Sequence, residues 1–359
     1  MKRGSRKIRS AIVGLGRIGS ILEDDRLREK PCTHAGALVA AGCVLVGGAD
    51  ISSERRELFA RRWNCPSVYA DARVMLRELK PDVLHIATHP DSHLEYVRLA
   101  AAEGVACVVC EKPLADSLSA AKKIAALGDS GKITILTNHE RRYSADYERA
   151  RGRVIKGRFG ELLSVCARLY FGRTRSLMSQ LIHDGTHLAD AIGFLAGGFL
   201  EKPEVRGCLE KKTGTAFITA RVAGSGIPVL IESGAGRDYL CFEIDLAFAR
   251  GRIRIGNGIY EEYESRTSPY YEGFCSLARL PVPAFTKTGY FLSMAKDAAA
   301  CARDSLRRPL SNAWDGFQAL RFILSLAPQA GEKAGAKRKR VSAAKAQGRR
   351  AGLPRHQKT

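Results

Sequence analysis

Two histidines and a lysine have the types and spacing to do proton chemistry. In His183-Asp184-Gly185-Thr186-His187-Leu188-Ala189-Asp190 the imidazoles lie four residues apart. On a helix His183 and His187 would share a face, and His187 and Asp190 would also be neighbours. Such a group could bind a metal, could be a core histidine satisfied by Asp190, or could serve acid–base catalysis. No HExxH glutamate lies between the histidines and no third ligand is evident, so no metal is expected. An imidazole that titrates near neutrality can take the proton of an alcohol as hydride leaves the same carbon. Lys112, in Glu111-Lys112-Pro113, directly follows the apolar run Val105 to Cys110. An ammonium there could hydrogen-bond a hydroxyl and stabilise a developing alkoxide, although in isolation it reads as a surface lysine before a proline.

A third feature concerns phosphate. Gly14-Leu15-Gly16-Arg17-Ile18-Gly19 closes an apolar run and opens a helical pattern. Glycines at these places allow a tight turn and close backbone approach, so a pyrophosphate can sit on the helix N-terminus. Alone, that spacing is weak. Asp50 strengthens it, because it ends the run Val44 to Ala49, where an acid can hydrogen-bond a ribose 2′-hydroxyl and repel a 2′-phosphate. NAD is therefore favoured, while Ser52 and Arg55 leave room for NADP. Asp50 lies farther along than usual because an insert around Glu23 to His34 lengthens the first crossover. Further polar groups follow later apolar runs: Thr88-His89-Pro90-Asp91-Ser92-His93, then Glu111-Lys112-Pro113, then Asn138-His139-Glu140-Arg141-Arg142. Open α/β sheets bind ligands at that edge.

The elements that must hold these residues follow from periodicity. Short apolar runs at Arg9 to Val13, Val44 to Ala49, Val68 to Tyr69, Val83 to Ala87, Val105 to Cys110 and Ile133 to Leu136 alternate with helical patterns beginning near Ile18, Glu54, Ala72, Ser92 and Ser117. That alternation predicts βαβ units and a parallel sheet, with Ser92 and Ser117 as N-caps. Beyond Glu140 a helix near Ala145 to Ile155 precedes a run of strands: Leu162 to Phe171, Glu204 to Glu210, Thr215 to Val222, Pro228 to Glu232, Leu240 to Leu246 and Gly251 to Ile255. One clear helix, Gly185 to Leu195, interrupts them. The pattern predicts an α+β domain on a largely antiparallel open sheet. Helices over Ser293 to Ser305 and Trp314 to Leu326 are expected to pack back on the first domain.

A chain of 359 residues is long enough for two domains around a cleft. We divide it into a basic extension (1–7), a nucleotide-binding domain (8–139), a second domain for substrate and oligomer contacts (140–330) and a disordered basic tail (331–359). The net charge of +21 is concentrated at the ends: five basic residues fall in the first nine, and ten against one acid follow Gly331, leaving about +7 for the body. Nucleic acid is therefore not an expected partner, since Lys337 to Arg340 has no aromatic residue beside it to stack on bases. Ten scattered cysteines argue for a reducing compartment. Cys107 and Cys110 form a CxxC, but a strand would point them to opposite faces. The basic start followed by Ile8 to Leu22 imitates a signal peptide, yet Arg9 and Arg17 interrupt it, and no stretch suits a bilayer span. A cytoplasmic protein is expected.

Taken in order, these motifs resemble the glucose-fructose oxidoreductase/inositol dehydrogenase (Gfo/Idh/MocA) family from about Ile8 to Leu326. The resemblance rests on Gly14-x-Gly16-x-x-Gly19, Asp50, the Thr88 to His93 loop, Glu111-Lys112-Pro113, Asn138 with Arg141 and Arg142, and Gly185-x-His187-x-x-Asp190. It implies an α/β Rossmann domain with a parallel sheet, followed by an α+β domain whose open sheet often makes oligomer contacts. It also implies roles. Lys112 would orient the reacting hydroxyl and His187 would accept or donate its proton, with Pro90, His93, Glu111 and Asn138 lining the cofactor side and Thr88 and His89 in the same loop. Arg142, Thr186 and the loop around Arg173 would face substrate. Many members have an aspartate four residues before the histidine; here that place holds His183, with Asp184 one position late. Either His183 serves in the relay, or the helix start shifts to bring in Asp184, or the activity differs.

The leading expectation is an NAD(P)-dependent oxidoreductase for a secondary alcohol or ketone of a sugar, cyclitol or related polyol, assembled as a homo-oligomer. The rivals are an NAD-dependent glycosidase that oxidises its sugar transiently, and a non-catalytic nucleotide-binding regulator that uses the basic tail. Intact Lys112 and His187 count against the regulator.

Overall fold

The computed structural model describes residues 6–170, 176–284 and 290–327; Arg173 and the basic tail lie outside them. Six strands, β1 (Arg9–Val13), β2 (Val44–Ala49), β3 (Val68–Tyr69), β4 (Val83–Ile86), β5 (Cys107–Cys110) and β6 (Thr134–Thr137), form a parallel sheet in the order β3-β2-β1-β4-β5-β6. Every residue of β4 and β5 is buried, as strands covered on both faces require. The order reverses between β1 and β4, which opens a crevice beyond the C-terminal strand ends.

The first crossover departs from expectation. The helix expected near Ile18 makes one turn, in which Ser20 and Ile21 N–H donate to Gly16 O at 3.0 and 3.1 Å. The chain then leaves through a short 3-10 turn, Ile21–Asp24, and returns as α1 (His34–Ala40). His34 N–H donates to Ile18 O and Ala35 N–H to Gly19 O, so α1 continues the helix where its first turn stopped. The insert is thus a loop extruded from one helix. Glu23 closes it, accepting from Thr33 Oγ1 at 2.6 Å and Cys32 N–H at 3.3 Å.

The other crossovers carry α2 (Ser53–Trp63), α3 (Ala72–Leu79), α4 (His93–Ala102) and α5 (Leu118–Asp129). Ser117 caps α5, its Oγ accepting from Ala120 N–H. Ser92 does not cap with its side chain. Its hydroxyl is taken by His89 O (2.9 Å) and Thr88 Oγ1 (2.7 Å), because a 3-10 turn over Pro90–Ser92 leads into α4.

The second domain contains α6 (Ala145–Ile155), β7 (Leu162–Tyr170), α7 (Leu177–Gln180), a π-helical turn over Leu181–Gly185, α8 (Thr186–Ala196), β8 (Leu200–Arg206), β9 (Gly214–Val222), β10 (Pro228–Ala235), β11 (Cys241–Phe248), β12 (Gly251–Gly256), β13 (Ile259–Thr267) and β14 (Cys275–Arg279). Its eight strands run β14-β13-β12-β11-β7-β10-β9-β8, with β7 and β10 parallel and the other neighbours antiparallel. Ala216, Ile218, Val229, Ile231, Ile244 and Leu246 face a core shared with Leu188, Ile192 and Leu195 of α8. Burying each large side chain of this set is worth about 1.5–3 kcal/mol before entropy is counted. The opposite face carries ion pairs such as Arg168–Glu232 and Arg254–Glu261, with Leu163, Phe217 and Leu230 exposed.

Strand β8 begins at Leu200, four residues before the expected start, and β13 and β14 were not expected at all. Apolar alternation is weak in Ile-Tyr-Glu-Glu-Tyr-Glu-Ser-Arg-Thr, where glutamates pair with arginines of neighbouring elements instead. The last helices, α9 (Tyr290–Arg303) and α10 (Ala313–Leu324), do return to the first domain. Phe291, Met294 and Ala298 of α9 pack with Val83, Val109 and Leu136. Helix α10 sits between the two cores, with Leu320 in one and Phe322 and Ile323 in the other. This packing sets the ends of β5 and β6 against the start of α8.

Candidate active site

The glycine loop has the shape a dinucleotide pyrophosphate requires. Gly14 has φ +91°, and a Cβ there would fall 2.6 Å from Ala87 O. A Cβ on Gly19 would fall 2.1 Å from Gly14 O. Gly16 is different, because a Cβ there would meet only the tip of Arg55 at 3.6 Å. Two glycines are thus needed for the turn and the third keeps an open face for a ligand. Among the described residues, the N–H groups of Arg17 and Ile18 have no acceptor, as an anion-binding helix start would have. Asp50 is 8% exposed; its Oδ2 accepts from Leu15 N–H at 2.8 Å and lies 3.6 Å from Arg55. The same carboxylate therefore braces the loop and stands at its rim.

Beyond β5 and β6 the acid–base groups converge. Lys112 Nζ donates to the backbone carbonyl of His183 at 3.0 Å. His187 is mostly enclosed, its side chain 11% exposed, with its Nδ1 3.2 Å from Glu140 Oε2 and its ring edge-on to His139, centroids 5.9 Å apart. Burial pushes the His187 pKa well below the usual value, and the charges of Lys112 and Arg141 act the same way. The imidazole is thus neutral and ready to accept a proton. Burial raises the pKa of Glu140 against the pull of Arg141 and Lys112.

A buried network supports this surface from below. His34 Nε2 lies 2.9 Å from Glu111 Oε1, His34 Nδ1 lies 2.8 Å from His85 Nδ1, and Asn138 Nδ2 donates to Glu111 Oε1 at 2.5 Å. Burial would raise the Glu111 pKa, but the hydrogen bond and charge of His34 outweigh it and hold the carboxyl at about 2. Burial drives the His85 pKa far down. Asn138 is 1% exposed and its Oδ1 has no partner. An orphaned acceptor at the crevice fits a cofactor that brings its own N–H donor. His34 and His85 escaped the sequence reading, since nothing in their spacing links the spliced helix to β4.

Several expected site residues have other occupations. Arg142 lines a cavity that includes neither Lys112 nor His187, and its guanidinium is engaged there: it makes paired hydrogen bonds to Asp190 (Nη2 to Oδ1 2.8 Å, Nε to Oδ2 2.9 Å) and reaches Asp315 at 3.0 Å. Asp190 is therefore not the partner of His187. His93 is fully buried, its two ring nitrogens each 3.2 Å from a carbonyl, Leu114 O and Thr88 O, so it braces the cofactor loop from behind. Thr186 is 1% exposed, with its hydroxyl inside the protein. His183 and His187 do not act as a pair: the His183 side chain is 53% exposed and turns its Nδ1 to Asp184 at 2.7 Å. The π turn spoils the simple i, i+4 geometry, and such turns often mark functional sites. Pro90 and His89 lie in the turn before α4, where Thr88 Oγ1 bonds Ser92.

Among the described residues no three His, Cys, Asp or Glu side chains are grouped to hold a metal. Cys107 and Cys110 are both buried, in the cores on opposite faces of the sheet. A cavity of about 350 Å³ behind α8, lined by Arg151, Phe194, Trp314 and Gln318, includes neither Lys112 nor His187. Among the described residues no helix is long and apolar enough to cross a membrane.

Comparisons with known proteins bear on the first domain and on the fold. Residues 8–139 match the family described as "Oxidoreductase family, NAD-binding Rossmann fold" (GFO_IDH_MocA). The chain is 25% identical to D-glucoside 3-dehydrogenase of Escherichia coli K12 over 205 residues, 54% of this chain and 55% of that protein. It is 31% identical to D-apiose dehydrogenase of Paraburkholderia graminis over 102 residues, 28% of this chain and 27% of that one. These matches thus span about a quarter to a half of the length of the curated relatives. A solved structure titled a putative NADPH-dependent oxidoreductase from Desulfitobacterium hafniense DCB-2 superposes with a TM-score of 0.75 at 16% identity, covering 92% of this chain and 97% of its own, which shows a common fold. Residues 8–139 of the chain carry the NAD-binding Rossmann signature of the Gfo/Idh/MocA oxidoreductase family.

Proposed function

We propose that this protein is an NAD(P)-dependent dehydrogenase or reductase acting on a secondary alcohol or ketone of a sugar, cyclitol or related polyol. The observation that carries the reading is the convergence of Lys112, from the end of β5, with His187, from the start of α8, at the crevice edge of a glycine-loop domain. Gly14, Gly16 and Gly19, the helix start at Arg17 and Ile18, and Asp50 would hold the dinucleotide, with Asn138 and the Thr88 to Pro90 turn beside it. When bound, its nicotinamide would accept or supply the hydride.

The chain's own residues handle the proton. Lys112 Nζ uses one hydrogen bond on a neutral carbonyl, so its charge and remaining donors are available to a substrate oxygen. His187, neutral because it is mostly enclosed, takes the hydroxyl proton in oxidation and returns it in reduction. Asp50 favours NAD, while Arg55 beside it is the group that would meet a 2′-phosphate. A sugar or polyol is the substrate class suggested by the activities named for D-glucoside 3-dehydrogenase and D-apiose dehydrogenase. The open face of the larger sheet, with Leu163, Phe217 and Leu230, is where a second copy would pack.

The test is turnover. Purified protein with NAD+ or NADP+ and a panel of sugars, sugar alcohols and cyclitols should generate reduced nicotinamide with at least one of them, and Lys112→Ala and His187→Ala should abolish it. A protein that binds nucleotide but neither oxidises any polyol nor reduces the corresponding ketones would contradict the assignment.

A further inference from the structure

The position four residues before His187, where the resemblance leads one to expect an aspartate, holds His183, and its ring is turned away from His187. A base at the protein interior needs a partner that fixes its tautomer, so the question is which acid supplies it. Asp184 is bound to His183 at 2.7 Å. Asp190 is clamped by Arg142. Glu111 is engaged by His34 and Asn138. Among the described residues, the carboxylate that reaches His187 is Glu140, with Oε2 3.2 Å from Nδ1.

We propose that Glu140, carried by the 3-10 turn after β6, is the positioning carboxylate of His187: it holds the proton on Nδ1 and leaves the Nε2 lone pair to accept the proton of a substrate hydroxyl. The contact is short but not aligned as a hydrogen bond, since Nδ1 is left without a partner of good geometry. Catalytic pairs commonly tighten when substrate binds. The surroundings explain why an acid is needed there. Lys112, His139, Arg141 and His183 all face His187 and disfavour its protonation, and Glu140 is the acid set against them. In oxidation the hydroxyl O–H bond breaks, its proton joins Nε2, and the imidazolium formed lies beside the Glu140 carboxylate as hydride leaves the same carbon. The carboxylate thus comes from the 3-10 turn after β6 and not from the helix of the histidine, which couples the base to the strand end that carries Asn138.

This inference rests on the dehydrogenase reading, but its test needs neither nucleotide nor substrate. The eight histidines are labelled with 15N and the His187 signals are assigned by their loss in His187→Ala. The full-length wild type should show His187 protonated at Nδ1 in its neutral form. Glu140→Leu should lose that preference, while His183→Ala and Asp184→Asn keep it. In Glu140→Gln, whose amide oxygen can still accept from Nδ1, the tautomer should survive and His187 should become harder to protonate, titrating about one pH unit lower. If Glu140→Leu does not fold, the Glu140→Gln titration decides. An Nε2-protonated His187 in the wild type, an unchanged titration in Glu140→Gln, or a tautomer that follows Asp184→Asn would overturn the proposal. Failure of nucleotide binding would instead sink the dehydrogenase reading.

Discussion

Lys112 and His183 meet across the two domains through one hydrogen bond, from the lysine ammonium to a backbone carbonyl 3.0 Å away. The π turn over Leu181–Gly185 presents that carbonyl in place of a side chain. A carboxylate there would have neutralised the ammonium, whereas a carbonyl orients it and leaves its charge to act on a substrate oxygen.

Lys112→Met should therefore lower kcat by about 10²- to 10⁴-fold, the range for a lost acid–base or polarising group. Steady-state kinetics beside a nucleotide titration would show this, with affinity for the dinucleotide changed far less. Equal losses in both would mean that Lys112 serves only to bind cofactor.

The glycines predict two different failures. Gly19→Ala puts a methyl into Gly14 O and should destabilise the domain by several kcal/mol, visible in chemical denaturation. Gly16→Asp meets only the movable tip of Arg55, so the protein should fold normally and lose dinucleotide binding through charge and bulk. A Gly16→Asp variant that still binds as wild type would place the pyrophosphate elsewhere.

Glu111 gives a pH signature. Its carboxyl is held at about 2, below the ordinary 4.5, so the ionised form stabilises the fold above pH 4.5 and that stability is lost as pH falls toward 2. The magnitude is on the order of 3 kcal/mol. Denaturation at pH 7 and at pH 3 should show Glu111→Gln much less stable than wild type at the higher pH, with the gap narrowing at the lower. A gap that stays constant would mean the His34 contact does not favour the ionised acid.

Arg142 is expected to be structural. Removing it in Arg142→Met leaves Asp190, 4% exposed, as a buried charge without its partner, at a cost of about 3–5 kcal/mol. Adding Asp190→Leu should recover part of the loss. If Arg142→Met were as stable as wild type and only raised KM, the arginine would belong to the substrate site.

Much of this was legible in the amino-acid order. The alternation of short, largely apolar runs with helical patterns points to the parallel sheet, and the glycine loop and Asp50 mark its ligand edge. Lys112 could be picked out because it follows a strand end that the periodicity locates, and His187 because it lies in the first turn of a helix that the periodicity locates. What stayed hidden depends on contacts between distant segments. The splice that brings His34 back onto Ile18 and Gly19 leaves no periodic trace, so neither does the His34–Glu111 pair. Residues 138–142 read as a polar strand end, but which member faces His187 depends on a 3-10 turn that places Glu140 toward it and Arg142 toward Asp190. The ring of His183 points away because of a π turn, a rare local geometry without a pattern of its own. Strands β13 and β14 are held by arginine–glutamate pairs, which look like loop chemistry in one dimension.

The first domain should bind a nicotinamide dinucleotide on its glycine loop. Titrating wild type and Gly16→Asp with NADH and, separately, NADPH, while following nicotinamide fluorescence, tests it most directly. Wild type should bind saturably, more tightly to NADH because of Asp50, and a Gly16→Asp protein that is otherwise folded should not bind. Absence of binding of either nucleotide to the folded wild type would contradict it.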